Sequence, residues 1–141
     1  MVTGFPASLA AWTLLLAPLA AAVAIGLWGL SRRRLAAACA IGGLLVPFAC
    51  ACWLLFHTLQ GSLHLPFEVK VSWLLLPDLA VPFGVLIDPL SLLMSLIVTG
   101  VGSAIFIYST GYMADDAGYS RYFTMLSLFA FSMLTIVLAN N

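Results

Sequence analysis

Asp, Glu, Lys and Arg are absent from residues 1–31, 35–67, 89–114 and 122–141. Each stretch is long enough for a bilayer-spanning helix, which needs ~20 mostly apolar residues. The sequence therefore predicts four transmembrane helices, over about residues 8–30, 35–59, 89–108 and 122–139. Pro18 and Pro47 lie inside the first two. A membrane helix tolerates such a proline with a kink, because neighbouring groups satisfy the freed carbonyl. Helices one and two are separated only by Ser31-Arg32-Arg33-Arg34, so they form an antiparallel hairpin.

Residues 60–87 follow a different rhythm. Phe67, Val69, Val71 and Trp73 alternate with Glu68, Lys70 and Ser72. That is the period-two pattern of a strand. Val81, Phe83, Val85 and Ile87 repeat it, and Pro77-Asp78 reads as the turn between. Pro82 confines the second strand to an edge position. The reading is a small β-hairpin on the membrane surface, between helices two and three. The fold class is thus all-α integral membrane with one hairpin, and residues 1–141 form a single membrane domain.

Helix three opens at Asp88-Pro89. An aspartate accepts bonds from the unpaired first-turn amides, and proline suits the first helical position because it has no N–H to leave unpaired. Ser91, Ser95, Thr99 and Gly102 then recur at spacings of four, four and three. This is a stripe of small residues of the kind that lets helices approach closely in lipid. Gly100-Val101-Gly102 lies mid-helix and is not a nucleotide loop. A polar joint runs from Ser109 to Arg121, flanked by Tyr108, Tyr112, Tyr119 and Tyr122. Tyrosine favours the headgroup level, where its ring is apolar-facing and its hydroxyl is wet.

Composition agrees. The chain is 64% hydrophobic and 7% charged, against ~45–50% and ~25% in soluble domains. Such a chain would aggregate in water, which excludes a soluble enzyme. The net charge is zero, and nothing points to a nucleic acid partner. No Lys or Arg precedes Arg32, so the first apolar run lacks the basic start of a cleaved signal. Arg32, Arg33, Arg34 and Arg121 occupy the first and third joints, and Lys70 alone occupies the second. By the basic-residue rule, the first and third joints face the cytoplasm, and both termini and the hairpin face outward. Cys39, Cys50 and Cys52 read as small buried apolar residues, with no cluster at a metal spacing.

Chemistry has few places to live. Proton relays need ionisable groups at depth, and the four spans hold none except at their ends. The polar candidates are Asp88, as helix cap or carboxylate at an ion mouth; Asp115, Asp116 and Arg121, as a solvated turn or a docking point for a partner subunit; and His57 near the outward end of helix two. His64 in the loop is similar to His57. The serines and threonines lack a general base and read as packing groups. No catalytic, cofactor-binding or metal-binding residue emerges.

The second half of the chain adds a resemblance. Its residues are Ile87-Asp88-Pro89-Leu90-Ser91-Leu92-Leu93-Met94, then Tyr108-Ser109, Gly111-Tyr112-Met113 and Gly118-Tyr119-Ser120-Arg121-Tyr122-Phe123, then Ser132-Met133-Leu134 and Leu138-Ala139-Asn140-Asn141. In this order and spacing, the run from Phe83 to Asn141 resembles the start of the L subunit (chain 5) of proton-pumping NADH-quinone oxidoreductase, respiratory complex I, in the antiporter-like family. Residues 1–82 agree in layout only. The resemblance implies a membrane-arm segment of a proton translocase in a bacterial-type cell membrane. It would contribute peripheral helices and the first helix of the first antiporter-like repeat. The family's proton-channel glutamate and lysines fall beyond residue 141, so no channel residue carries over and this chain alone is non-catalytic. NADH, flavin, iron–sulfur clusters and quinone are expected in partner subunits. The partners expected here are the bilayer and other membrane-arm subunits, with these residues as the front part of a longer subunit. Related subunits of multisubunit sodium/proton antiporters, membrane-bound hydrogenases and inorganic-carbon uptake systems carry similar motifs. A structural membrane module without transport is the remaining alternative.

Overall fold

The computed structural model describes residues 5–29, 32–76 and 79–139. Ser31, the Pro77-Asp78 turn and Asn140-Asn141 lie outside these. Four long helices and one hairpin follow in the order α1 (Phe5–Ala24), α2 (Arg33–Leu59), β1 (Phe67–Leu76), β2 (Leu79–Ile87), α3 (Pro89–Tyr112) and α4 (Tyr119–Leu138). α1 continues into a π-helical turn over Ile25–Gly29. Each of the four helices is long and apolar enough to cross a membrane. The shortest has 20 residues, about 30 Å of helix, which matches a typical hydrocarbon core.

The helices pack as a bundle in which α2 touches α1, α3 and α4, and α4 also touches α1 and α3. Residues with small side chains set the closest approaches. A Cβ on Gly43 of α2 would lie 2.4 Å from Ala21 Cβ of α1. A Cβ on Gly100 or Gly102 of α3 would meet Phe48 at 2.9 Å or Leu44 at 2.6 Å on α2. Ser91, Ser95 and Thr99 of the expected stripe are buried along α3, and it continues at the buried Ser103 rather than at Gly102, which is half-buried. Two of its hydroxyls bond back along the helix, Thr99 Oγ1 to the Ser95 carbonyl and Ser103 Oγ to the Thr99 carbonyl, both at 2.6 Å. Such bonds satisfy a hydroxyl where no water can.

The core forms two blocks stacked along the bundle. Near the hairpin, Leu14, Leu54, Leu63, Val85, Ile87, Leu92 and Leu138 join. At the arginine end, Ile25, Ala36, Leu44, Phe106, Tyr119 and Phe123 join. The strands pair antiparallel from Phe67–Ile87 to Leu76–Leu79, with an irregularity between Ser72 and Leu74 where Trp73 is the extra residue. Pro82 stands opposite Ser72. After α4, Ala139 makes an antiparallel bridge to Val85 of β2.

Several expectations need adjustment. α3 runs to Tyr112 rather than 108, and α4 begins at Tyr119 rather than 122. Polar residues at the headgroup level still extend helical hydrogen bonding, so a polar pattern does not end a helix there. The connection shrinks to Met113–Gly118. The cysteines are less buried than expected: Cys39 and Cys50 are half-buried against the two core blocks, and Cys52 is exposed. In a membrane protein an exposed thiol meets hydrocarbon, so its apolar character demands no burial. Cys50 Sγ instead lies 3.2 Å from Thr13 Oγ1 on α1.

Candidate functional site

At the hairpin end, Asp88 stands where β2 passes into α3. Its extended backbone (φ −108°, ψ 170°) lets the side chain fold over the first turn. Oδ1 accepts from the Ser91 amide at 2.7 Å, and Ser91 Oγ accepts from the Asp88 amide at 2.8 Å. This is a reciprocal capping box. The hydroxyl and amide of Ser91 together hold the Asp88 carboxyl below its ordinary value. Asp88 also borders a hollow of about 300 Å³ with Leu90, Met94 and Val137.

His57 lies in the last turn of α2. Its Nδ1 lies 3.0 Å from Ser62 Oγ, which donates in turn to the His57 carbonyl at 2.9 Å. The ring sits 4.3 Å from that of Trp53. The chain folds back to make these bonds because Gly61 adopts a left-handed φ of 70°, a conformation that glycine takes without steric penalty. Asp88 and His57 are thus each tied to their own local turn.

The other end holds polar contacts between residues far apart in the sequence. Arg33 Nη1 donates to the Ala114 carbonyl at 2.6 Å, and its guanidinium lies 5.8 Å from the centre of the Tyr119 ring. Ser120 Oγ donates to the Gly29 carbonyl at 3.0 Å, joining α4 to the π-helical turn. Ser109 Oγ and Tyr122 Oη lie 3.1 Å apart and tie α3 to α4. These contacts clasp the joint after α1 to the joint after α3. Asp116 Oδ1 accepts from the Gly118 amide at 2.5 Å. Asp115, Asp116 and Arg121 are exposed. Nothing in the sequence marks Ser120, Tyr119 and Tyr122 as clasp residues rather than joint and belt, or Arg33 as more than topogenic charge.

Inside the bundle, Ser95 Oγ and Ser127 Oγ are buried and find no hydrogen-bond partner among the described residues. Among the described residues, no group of three His, Cys, Asp or Glu is placed to hold a metal ion. An apolar groove of about 240 Å³ runs between α3 and α4, with Leu44 of α2 at its floor and Val101, Phe106, Phe129 and Met133 on its walls. The spans carry charge only in their first turns, at Arg33, Arg34 and Arg121.

Known proteins share nearly the whole chain, so residues 1–82 agree in sequence and not in layout alone. A family model described as NADH-ubiquinone oxidoreductase (complex I), chain 5 N-terminus, matches residues 73–123. Residues 73–123 belong to the complex I chain 5 N-terminal family. The chain is 39% identical over 138 residues to NAD(P)H-quinone oxidoreductase subunit 5, chloroplastic, of Zygnema circumcarinatum, a match covering 92% of this chain. It is 37% identical over 128 residues to NADH-quinone oxidoreductase subunit L of Neisseria meningitidis, covering 89% of this chain. A further chloroplastic subunit 5, from Anthoceros angustus, is 37% identical over 139 residues, 93% of this chain. In each case the match spans 19% of the relative's length. Within this chain 5 segment, the family model takes in the capping box at Asp88, the α3 stripe and the Tyr119–Tyr122 side of the clasp.

Proposed function

We propose that this chain acts as the front segment of a subunit L-type, membrane-arm component of a proton-translocating NADH-quinone oxidoreductase. α1, α2 and α3 are its peripheral helices, and α4 is the first helix of the first antiporter-like repeat. The observation that carries this is the family match across the hairpin–α3–α4 unit, together with 37–39% identity along most of the chain. The segment contributes scaffold and contact surface and has no complete proton channel of its own, because its spans bring no ionisable group to mid-membrane depth. It forms a single membrane domain. Its partners are the bilayer and other membrane-arm subunits, and the NADH, flavin, iron–sulfur and quinone chemistry belongs to partner subunits outside this chain. Asp88 serves as a helix cap, and Asp115, Asp116 and Arg121 offer contact points at the clasp end. The basic-residue rule places Arg32–Arg34 and Arg121 on the cytoplasmic side of a bacterial-type cell membrane.

The test is a chimaera. The corresponding front segment of the Neisseria subunit L is replaced by residues 1–141, and the complex is isolated. The expected result is an assembled complex with NADH-driven proton uptake into vesicles. A chimaeric subunit that inserts but is left out of the complex would overturn the reading.

A further inference from the structure

The three consecutive arginines divide between two tasks. Arg33 is committed inside the molecule, to the Ala114 carbonyl and the Tyr119 ring. Arg32 and Arg34 are exposed, and among the described residues neither side chain has a partner. They crowd like charges at the start of a 27-residue helix that has no acidic residue in its first turn and no side-chain cap. The amides of that turn add a positive partial charge of their own, so the arrangement is electrostatically unfavourable without an external anion. Arg121 stands at the same end, in the first turn of α4. The carboxylates there are Asp115 and Asp116, and Asp116 is already turned onto the Gly118 amide. Four arginines against two aspartates leave this end net positive.

The level of the patch selects the anion. Tyr108 and Tyr112 are exposed at this end of α3, with ring centres 6.2 Å apart, and aromatic rings of this type mark the headgroup region. Leu35 begins the apolar span directly after Arg34. We propose that Arg32 and Arg34 form a surface that recognises the phosphate of anionic phospholipids, with Arg33 excluded because the clasp holds it. The inference requires membrane embedding only and is independent of the complex I reading.

The test places the full chain in phosphatidylcholine nanodiscs containing a minority of phosphatidylglycerol. Electron paramagnetic resonance with spin-labelled forms of each lipid reads the fraction immobilised on the protein. Phosphatidylglycerol is expected to be held over phosphatidylcholine by up to about fivefold per engaged arginine. The selectivity falls towards unity in Arg32→Gln/Arg34→Gln, survives in Arg32→Lys/Arg34→Lys, and is largely kept in Arg33→Gln. Each single glutamine variant carries part of the loss, so the readout stands even where the double variant fails to insert. Equal retention of both lipids by the wild type, or selectivity unchanged in the glutamine variants, overturns the proposal. Displacement of the lipid by inorganic phosphate at constant ionic strength also overturns it, by assigning the patch to a soluble anion.

Discussion

Single residues in this chain do their work through bonds of very different reach, and reach decides what could be read in advance. Asp88 caps α3 through Ser91, three positions away, so the Asp-Pro pair was legible. Arg33 reaches Ala114 across 81 positions, and nothing local signals it. The cap makes a direct prediction. Asp88→Ala should lower stability by about 1 kcal/mol while Asp88→Asn, an equally good cap, should be nearly neutral, measured by unfolding the chain in mixed micelles. The pH dependence has a definite sign. Because folding lowers the Asp88 carboxyl below its ordinary value, its contribution is complete above the unfolded-state value of about 3.9. It fades as pH falls through the lower folded-state value. Removing the Arg33 side chain should loosen the clasp. Arg33→Ala is expected to speed amide exchange severalfold over Met113–Gly118, by losing a contact of about 1 kcal/mol; unchanged exchange there would show the clasp to be idle.

Among the elements, the helices announced themselves because charge is costly in hydrocarbon and so collects between spans. Their ends did not, since Ser109–Tyr112 and Tyr119–Arg121 are polar yet helical. The π-helical turn at Ile25–Gly29 has no local sequence mark, and the side chain that bonds its last carbonyl, Ser120, lies on another helix. The helix interfaces differ in how much room they leave. Gly43 faces the Ala21 methyl and the Ala17 carbonyl oxygen, neither of which can move without its helix, whereas Gly102 faces the far end of the flexible Leu44 side chain. Gly43→Ala should therefore cost roughly 1–3 kcal/mol, as overpacking of a rigid contact does, and Gly102→Ala should cost less. A thermal-unfolding comparison of the two variants would expose a reversed order.

For the whole molecule, the count of spans was legible and their arrangement was not. In water a polar face tells which side of a helix looks outward. In lipid both the interior and the surroundings are apolar, so the packing of α4 on α1, or of α2 at the centre, leaves little trace in periodicity. The same uniformity limits function. Liposomes containing this chain should hold an imposed pH gradient as long as empty liposomes do, and Asp88→Asn should change nothing; a leak abolished by that substitution would contradict the capping role. The bundle is also mechanically uneven. α1 and α2 interlock methyl against backbone at Gly43, while α3 and α4 leave the 240 Å³ groove between them. Lateral squeezing by a thicker or more tightly packed bilayer would thus be absorbed along the α3–α4 seam, where side chains have space to swing. The α1–α2 pair would move as one stiff beam, and the seam would be the hinge line of the molecule.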